Sequence, residues 1–407
     1  MEISTAYMPH EIFAPPGRDG LPAPRVFIAP ARYIQGRGVL RSVGRYLTLL
    51  KPKRAALLMS ARGLRGDGAT LLASLRDAGI AAVPRTFGGE CSLQEIEAQV
   101  AALSAERVGC LVAAGGGKCI DAGKAIAFRL GVPVAIVPTL ASNDAPCSAL
   151  SVLYSPEGVS TGAEFYPDSP ALVVVDTDVV AAAPERYLVA GMGDAMATWY
   201  EARVCLENPA AVTTVGARPT IASCAIGEVC AQTLFREGRA AAAAVVAGVV
   251  NDALETVVEA NTLLSGLGFE SGGLAAAHGV AQSWTAIPKV HAEYLHGEMV
   301  AMGTLAQLMM ESRPDEARRV AEFFAAVGLP IHLGQLGIGG SEQNGALDVV
   351  AEATLGFPFI GNMPRPVTAA LVRSSVQEAD VLGRAVAADA GDEAYRRLHG
   401  QAHGATA

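Results

Sequence analysis

The sequence predicts an α/β fold: an N-terminal doubly wound parallel-sheet domain, residues 1–183, followed by an all-helical domain, residues 184–407. Residues 108–137 read as an apolar run, a Gly115-Gly116-Gly117 turn, an Ala-rich helical stretch and a second apolar run. That strand–turn–helix–strand order is a βαβ unit and requires parallel pairing. From Pro184 onward the β-branched runs between turns disappear, and Ala-, Leu- and Glu-rich helical patterns take over.

Taken in order, residues 1–24 carry Glu2, Glu11, Arg18, Asp19 and several prolines with no apolar core, which describes a loose arm and not a signal peptide. Residues 25–29 read as a first strand, 36–50 as helical, 55–59 as a buried strand, 67–78 as a helix and 81–87 as a strand. After Gly88-Gly89, the Ser92–Glu95 spacing is a capping box that opens a helix to about residue 107. Strands at 108–114 and 132–137 flank the helix 119–130, and 171–176 is the last buried strand. Pro184 suits the first turn of the next helix. Residues 311–319 read as a solvated helix, and the tail after Val386 loses its apolar period and is expected to fray.

The 407 residues suffice for two domains; 51% are hydrophobic and only 17% charged, which excludes a disordered chain. A net charge of −9 and a pI near 5.4 argue against nucleic acid or an anionic membrane as partner. Seven cysteines without a C-x-x-C pair fit a reducing cytosol. The most apolar stretch, residues 240–250, is about half of what a bilayer requires, and residues 271–288 are interrupted by Ser, Gly, His and Gln. The expectation is a soluble cytoplasmic protein.

Three glycines before a helix let a backbone approach an anion closely, most naturally a pyrophosphate. The turn is neither G-x-G-x-x-G, because Ile120 holds the third glycine position, nor a P-loop, because of Val112 and Cys119. A tight structural connection is the equal alternative. Asp194 sits in a small-residue helical stretch, where an acid is costly unless paired or ligating. With His278 and His296 it makes a candidate three-ligand zinc site with an open fourth position; histidines satisfied inside a core are the alternative, and His291 is a competing ligand. Residues 139–148 follow a strand's C-terminal end, where open α/β sheets bind ligands. There Asp144 could orient a substrate hydroxyl or relay a proton, or simply form an Asx-turn before Pro146.

Together, Gly115-Gly116-Gly117-Lys118, the loop 139–150, Val189-Ala190-Gly191-Met192-Gly193-Asp194-Ala195, residues 259–266, residues 269–278 and His296-Gly297-Glu298 resemble the glycerol dehydrogenase branch of the iron-containing alcohol dehydrogenase superfamily. The resemblance runs from about Val26 to Pro330, with a weaker echo at Asn362-Met363-Pro364. It implies a dehydroquinate synthase-like arrangement, a nucleotide-binding α/β domain against a helical metal-binding domain, with the site in the cleft between them. Gly117, Lys118, Thr139 and Ser142 would hold a pyrophosphate, with Gly115, Gly116 and Asp121 in the same cofactor-binding turn. Ser148, Leu150 and Tyr154 would line the nicotinamide side. Asp194, His278 and His296 would bind the metal, His278 and Asp144 forming the catalytic pair with Asp144 at the substrate hydroxyl. Iron-binding branches carry a further histidine four residues after the aspartate; Thr198 stands there and favours zinc. Members are commonly oligomers, often octamers.

Departures accompany the matches. Ser60 ends the strand 55–59 where NAD-using relatives place an aspartate for the adenosine ribose, so NADP is open alongside NAD, with Arg62 or Arg65 to meet a 2′-phosphate. Asn143 replaces a usual Thr, Met299 a usual Lys, and one extra residue precedes His296. Gly279-Val280-Ala281-Gln282-Ser283-Trp284 replaces a typical segment containing His-Asn-Gly, so that Trp284 adds bulk and Ala281 removes a polar group near the expected substrate pocket. The implied activity is zinc- and NAD(P)-dependent oxidation of a secondary hydroxyl of a small polyol or glycerol-like alcohol. The alternatives are an NADPH-dependent reductase of 2-oxo acids or aldehydes, and a dehydroquinate synthase-type lyase, against which Met299 speaks.

Overall fold

The computed structural model describes residues 7–13 and 23–400. Six parallel strands form one sheet: β1 Tyr33–Gly36, β2 Arg54–Met59, β3 Ala81–Thr86, β4 Cys110–Gly115, β5 Val134–Pro138 and β8 Leu172–Asp176, in the order β1-β8-β5-β4-β2-β3. Strands β4, β5 and β8 read as continuous apolar runs because both faces of the sheet are covered. Along β2, Ala56 and Leu58 enter one core while Ala55, Leu57 and Met59 enter the other, the two-residue alternation of a strand between two layers. The one proline within the first two-thirds of a strand, Pro84, lies on the edge strand β3, where a missing N–H is tolerated.

The chain steps from β2 outward to β3 and then returns to the other side of β2 as β4. This reversal opens a crevice beyond the C-terminal ends of the neighbouring strands β2 and β4, where Ser60 follows β2 and Gly115 ends β4. Helix α1, Gly117–Leu130, springs from β4 and lies directly on it: a Cβ at Gly123 would stand 2.2 Å from that of Ala113.

Several expectations need correction. The run 25–29 is not a sheet strand; Arg25 bridges to Arg218 and the Ile28 N–H donates to Ser271 Oγ, so the segment lies along the helical region and the sheet begins at Tyr33. An antiparallel hairpin, β6 Leu150–Tyr154 and β7 Ser160–Phe165, was not foreseen, since β7 (Ser-Thr-Gly-Ala-Glu-Phe) lacks an apolar run. Residues 7–13 of the arm dock on that hairpin through a Tyr7–Phe165 bridge. The capping box is half made: Ser92 Oγ accepts from Glu95 N–H, but the Glu95 carboxylate takes the Gly88 and Gln99 donors.

After β8 and a short turn of helix, every regular element among the described residues is helical. Those that build the site are α2 Glu185–Glu207, α3 Ile221–Val246, α4 Ser265–Gly272, α5 Ala276–Trp284 and α6 His296–Met310. Pro184 is the residue that precedes α2 and not its first turn. Glu311 is not solvated; its buried carboxylate pairs with Arg203 at 2.5 Å. The tail does not fray at once: helix Ala369–Ala390 is followed by α7, Glu393–His399, whose last residue is buried. No described helix is long and apolar enough to cross a membrane.

Candidate active site

Asp194, near the middle of α2, is fully buried. His296 is the first residue of α6, and α6 crosses α2 at backbone contact. A Cβ on Gly297 would lie 1.8 Å from the Ala190 carbonyl oxygen, and one on Gly193 would lie 2.3 Å from that of Gly297. Glycine on both sides of the crossing therefore brings the neighbouring residues, Asp194 and His296, together. Helix α5 packs on α6 and adds His278.

His296 Nε2 lies 3.2 Å and His278 Nε2 3.5 Å from Asp194 Oδ1, and one ligand atom from each residue falls within 4.8 Å of the others. Asp194 Oδ1 is buried and accepts no hydrogen bond from the protein, while Oδ2 accepts from the Asp144 N–H at 3.2 Å. A lone carboxylate oxygen facing two imidazole nitrogens is the donor set of a divalent-ion site, so these residues fit a zinc-class ion.

Glu201 lies seven residues beyond Asp194 on the same face of α2. Its Oε2 is 2.5 Å from His278 Nδ1, and its Oε1 accepts the backbone N–H groups of Ala275 and His278. With Nδ1 donating to Glu201, Nε2 of His278 is left to face Asp194. Burial alone would lower the His278 pKa, but Glu201 and Asp194 push it well above the usual histidine value. Burial likewise opposes ionisation of Asp194, yet the two imidazoles hold it well below the usual carboxylate range. The two shifts are one acid–imidazole attraction read from its two sides: the acids favour a charged His278, and the imidazoles favour an ionised Asp194.

Asp144 joins from the loop after β5. Its Oδ2 accepts from Ser265 Oγ at 3.0 Å, and Ser265 Oγ lies 2.9 Å from Thr198 Oγ1. Burial and the nearby Asp194 charge push the Asp144 pKa well above its usual range. The Asx-turn considered for Asp144 belongs instead to Asn143, whose Oδ1 accepts from the Ala145 N–H.

The glycine turn faces the same loop. Thr139 N–H donates to the Gly115 carbonyl, Leu140 lies against Gly116, and a Cβ on Gly117 would meet Asn143 Nδ2 at 2.6 Å. Gly116 starts α1 without a side-chain cap, which leaves first-turn N–H groups for an anion. Lys118 is half exposed, paired with Glu90 at 2.6 Å and 5.0 Å over the Tyr154 ring. Ser142 and Leu150 are half-buried on either side of the loop. Two residues of the cofactor group have interior partners. Asp121 Oδ1 lies 2.9 Å from Lys124 Nζ while Oδ2 accepts from the Val152 N–H, and Ser148 is fully buried against Lys124. Ser60 caps a short helix through the Gly63 N–H.

His291 is turned away from the ligand cluster and bonds the Gly158 carbonyl through Nε2 at 3.1 Å. Trp284 and Ala281 are both fully buried in the helical core, so the expected added bulk of Trp284 in a substrate pocket is not found. Met299 is also buried.

A sequence model of the family described as iron-containing alcohol dehydrogenase matches residues 30–177. The chain is 45% identical over 363 residues to a glycerol dehydrogenase of Escherichia coli, covering 88% of this chain and 98% of that one. The chain belongs to the iron-containing alcohol dehydrogenase family. Another member, a glycolaldehyde reductase of Halobacterium salinarum, is 40% identical over 89% of this chain and 98% of its own length. The crystal structure of a Schizosaccharomyces pombe glycerol dehydrogenase superposes with a TM-score of 0.85 at 35% identity, covering 90% of this chain and 93% of that one. As a member of the family, the protein is an oxidoreductase with the α/β-plus-helical architecture described above.

Sequence reading missed Glu201, Ser265 and Lys124 in this family member. The only available signal for Glu201 was its seven-residue spacing from Asp194, which two turns of helix place on one face. Lys124 lies three residues after Asp121 within α1, and their ion pair is almost fully buried.

Proposed function

We propose that this protein is an NAD(P)-linked dehydrogenase that oxidises the secondary hydroxyl of a small polyol or glycerol-like alcohol, reversibly, with a zinc ion held by Asp194, His278 and His296. The observation that carries the reading is the convergence of the unpartnered Asp194 Oδ1 with two imidazole nitrogens. A bound ion would supply Lewis acidity at the alcohol hydroxyl, and a bound nicotinamide would supply the hydride acceptor. Asp144 holds the far side of the same carboxylate through its N–H and would orient the substrate hydroxyl, its own carboxylate fixed by Ser265, which Thr198 contacts in turn. Glu201 fixes the orientation of His278.

On the cofactor side we assign the pyrophosphate to Gly115, Gly116, Gly117, Lys118, Thr139 and Ser142, and the nicotinamide side to Leu150 and Tyr154, with Asp121 and Ser148 shaping the loop from beneath. Zinc in preference to iron is supported by Thr198, whose hydroxyl is engaged with Ser265 where a fourth imidazole would stand. Use of NADP beside NAD is supported by Ser60 and the exposed Arg62 and Arg65. We divide the chain into a nucleotide domain, 1–183, and a metal domain, 184–407. We place it in the cytoplasm as a homo-oligomer, the compartment supported by seven free buried cysteines.

A second reading, reduction of aldehydes or 2-oxo acids with NADPH, is favoured by Ser60 and by the similarity to the glycolaldehyde reductase. The deciding experiment adds zinc to purified protein and measures kcat/KM for diols, polyols, hydroxy acids and their carbonyl partners with NAD and NADP in turn. Preferred turnover of a vicinal polyol supports the first reading, and preferred carbonyl reduction with NADPH supports the second. Binding of metal and nucleotide without any turnover overturns both.

A further inference from the structure

We propose that the C-terminal helix α7 is a clasp that sets the spacing of α2 and α6, two of the three ligand-bearing helices, with Arg186, Glu298 and His399 as positioning residues; this rests on the metal reading of Asp194, His278 and His296. Glu298 follows His296 by two residues in the first turn of α6, and its side chain is only 2% exposed. Four donors converge on its two oxygens. Oε1 accepts from Arg186 Nε at 2.7 Å and His399 Nε2 at 2.9 Å, and Oε2 from Arg186 Nη2 and the Leu295 N–H, both at 2.7 Å. A carboxylate has about four lone-pair sites, so this one is saturated.

Arg186 belongs to the first turn of α2, the helix of Asp194, and its Nη2 also reaches the Glu293 carbonyl. Helix α7 grips both partners: Arg397 pairs with Glu185 at the start of α2 at 2.7 Å, and His399 reaches Glu298 at the start of α6. The His399 ring is itself fixed, donating through Nδ1 to the Tyr395 carbonyl at 3.0 Å and stacking on the Tyr395 ring with centroids 4.1 Å apart. On α6 the residue before Glu298, Gly297, meets α2 at backbone contact opposite Ala190 and Gly193. Along α2 the start of α6 is thus held at two places, Arg186 and Ala190–Gly193, and the ligands Asp194 and His296 stand beside the second of these. A segment 101 residues beyond Glu298 in sequence closes the first.

Loss of His399 leaves Glu298 Oε1 with one donor and releases the start of α6, the turn that carries His296. Zinc affinity of the metal-free full-length chain, measured by competition with a chromophoric chelator, tests this together with amide hydrogen exchange over residues 295–300. His399→Ala is expected to weaken zinc binding severalfold, less than the about tenfold that loss of a direct partner of a ligand costs, and to raise exchange there. His399→Gln, whose amide N–H can replace Nε2, is expected to restore most of the affinity. Unchanged zinc affinity in His399→Ala, with only a lower Tm, overturns the clasp while the metal reading stands. A wild-type chain with no zinc affinity overturns the metal reading and the clasp with it.

Discussion

Nδ1 of His278 lies 2.5 Å from Oε2 of Glu201, whose side chain is completely buried. A buried acid with no other cation in contact is retained only where its charge is used, and here it holds one ring nitrogen so that the other faces Asp194. Glu201→Gln keeps the shape and removes the charge. It is expected to weaken zinc binding about 10–100-fold and to lower kcat more than it changes KM. Chelator competition and steady-state kinetics on the same preparation check it.

The end of β2 governs the choice of nicotinamide. Ser60 offers a hydroxyl that caps its own helix at Gly63 and no carboxylate for a ribose. Ser60→Asp restores an acceptor for a 2′-hydroxyl and repels a 2′-phosphate. The ratio of kcat/KM for NAD over NADP is expected to rise about tenfold, equivalent to ~1.4 kcal/mol.

Close approach of α2 and α6 makes Gly297 intolerant of a side chain. A Cβ there would stand 1.8 Å from the Ala190 carbonyl oxygen. Gly297→Ala is expected to cost about 3 kcal/mol by forced backbone movement and to lower zinc affinity with it, because His296 is its neighbour. Gly345→Ala is the control: nothing lies within 4 Å of its Cβ position in helix Gln343–Leu355, and it should be neutral or slightly stabilising. Urea unfolding of both variants decides.

Glu270 supplies a pH signature. Burial pushes its pKa up to about 7, against the Ala149 N–H bond and the Lys124 charge, which pull it down; its Oε2 has no partner. A carboxyl raised in the folded state contributes stability that is complete below the unfolded value near 4.5 and is lost as pH rises toward 7. The loss amounts to about 3 kcal/mol. Glu270→Gln is expected to match wild type near pH 4.5 and to be the more stable of the two at pH 8. Tm measured across that range tests it, and parallel curves would contradict the assignment.

Much of the site was legible because its residue types are costly where they stand. An acid among glycines and alanines at Asp194, a triple glycine before an amphipathic helix, and a histidine after a small-residue stretch at His278 all signal chemistry before any contact is known. The strands β4, β5 and β8 were legible for a similar reason, since buried parallel strands leave unbroken apolar runs. What was not legible depends on distant partners. Glu201 looks like any helical acid until His278 is packed against it, and β7 has a polar sequence because it belongs to a two-stranded hairpin outside the main sheet. Trp284 reads as a pocket residue in the linear motif, yet helix packing turns it into the core. His399 sits in a tail whose apolar period has faded, and only its contact with Glu298 gives it a role.

The most direct test of the account is the metal content of the purified chain, measured together with zinc-dependent oxidation of a polyol by NAD(P), in wild type and in Asp194→Asn, His278→Ala and His296→Ala. The account predicts close to one zinc per chain with turnover in wild type, and loss of both in each variant. Full turnover in a variant that holds no zinc would contradict it.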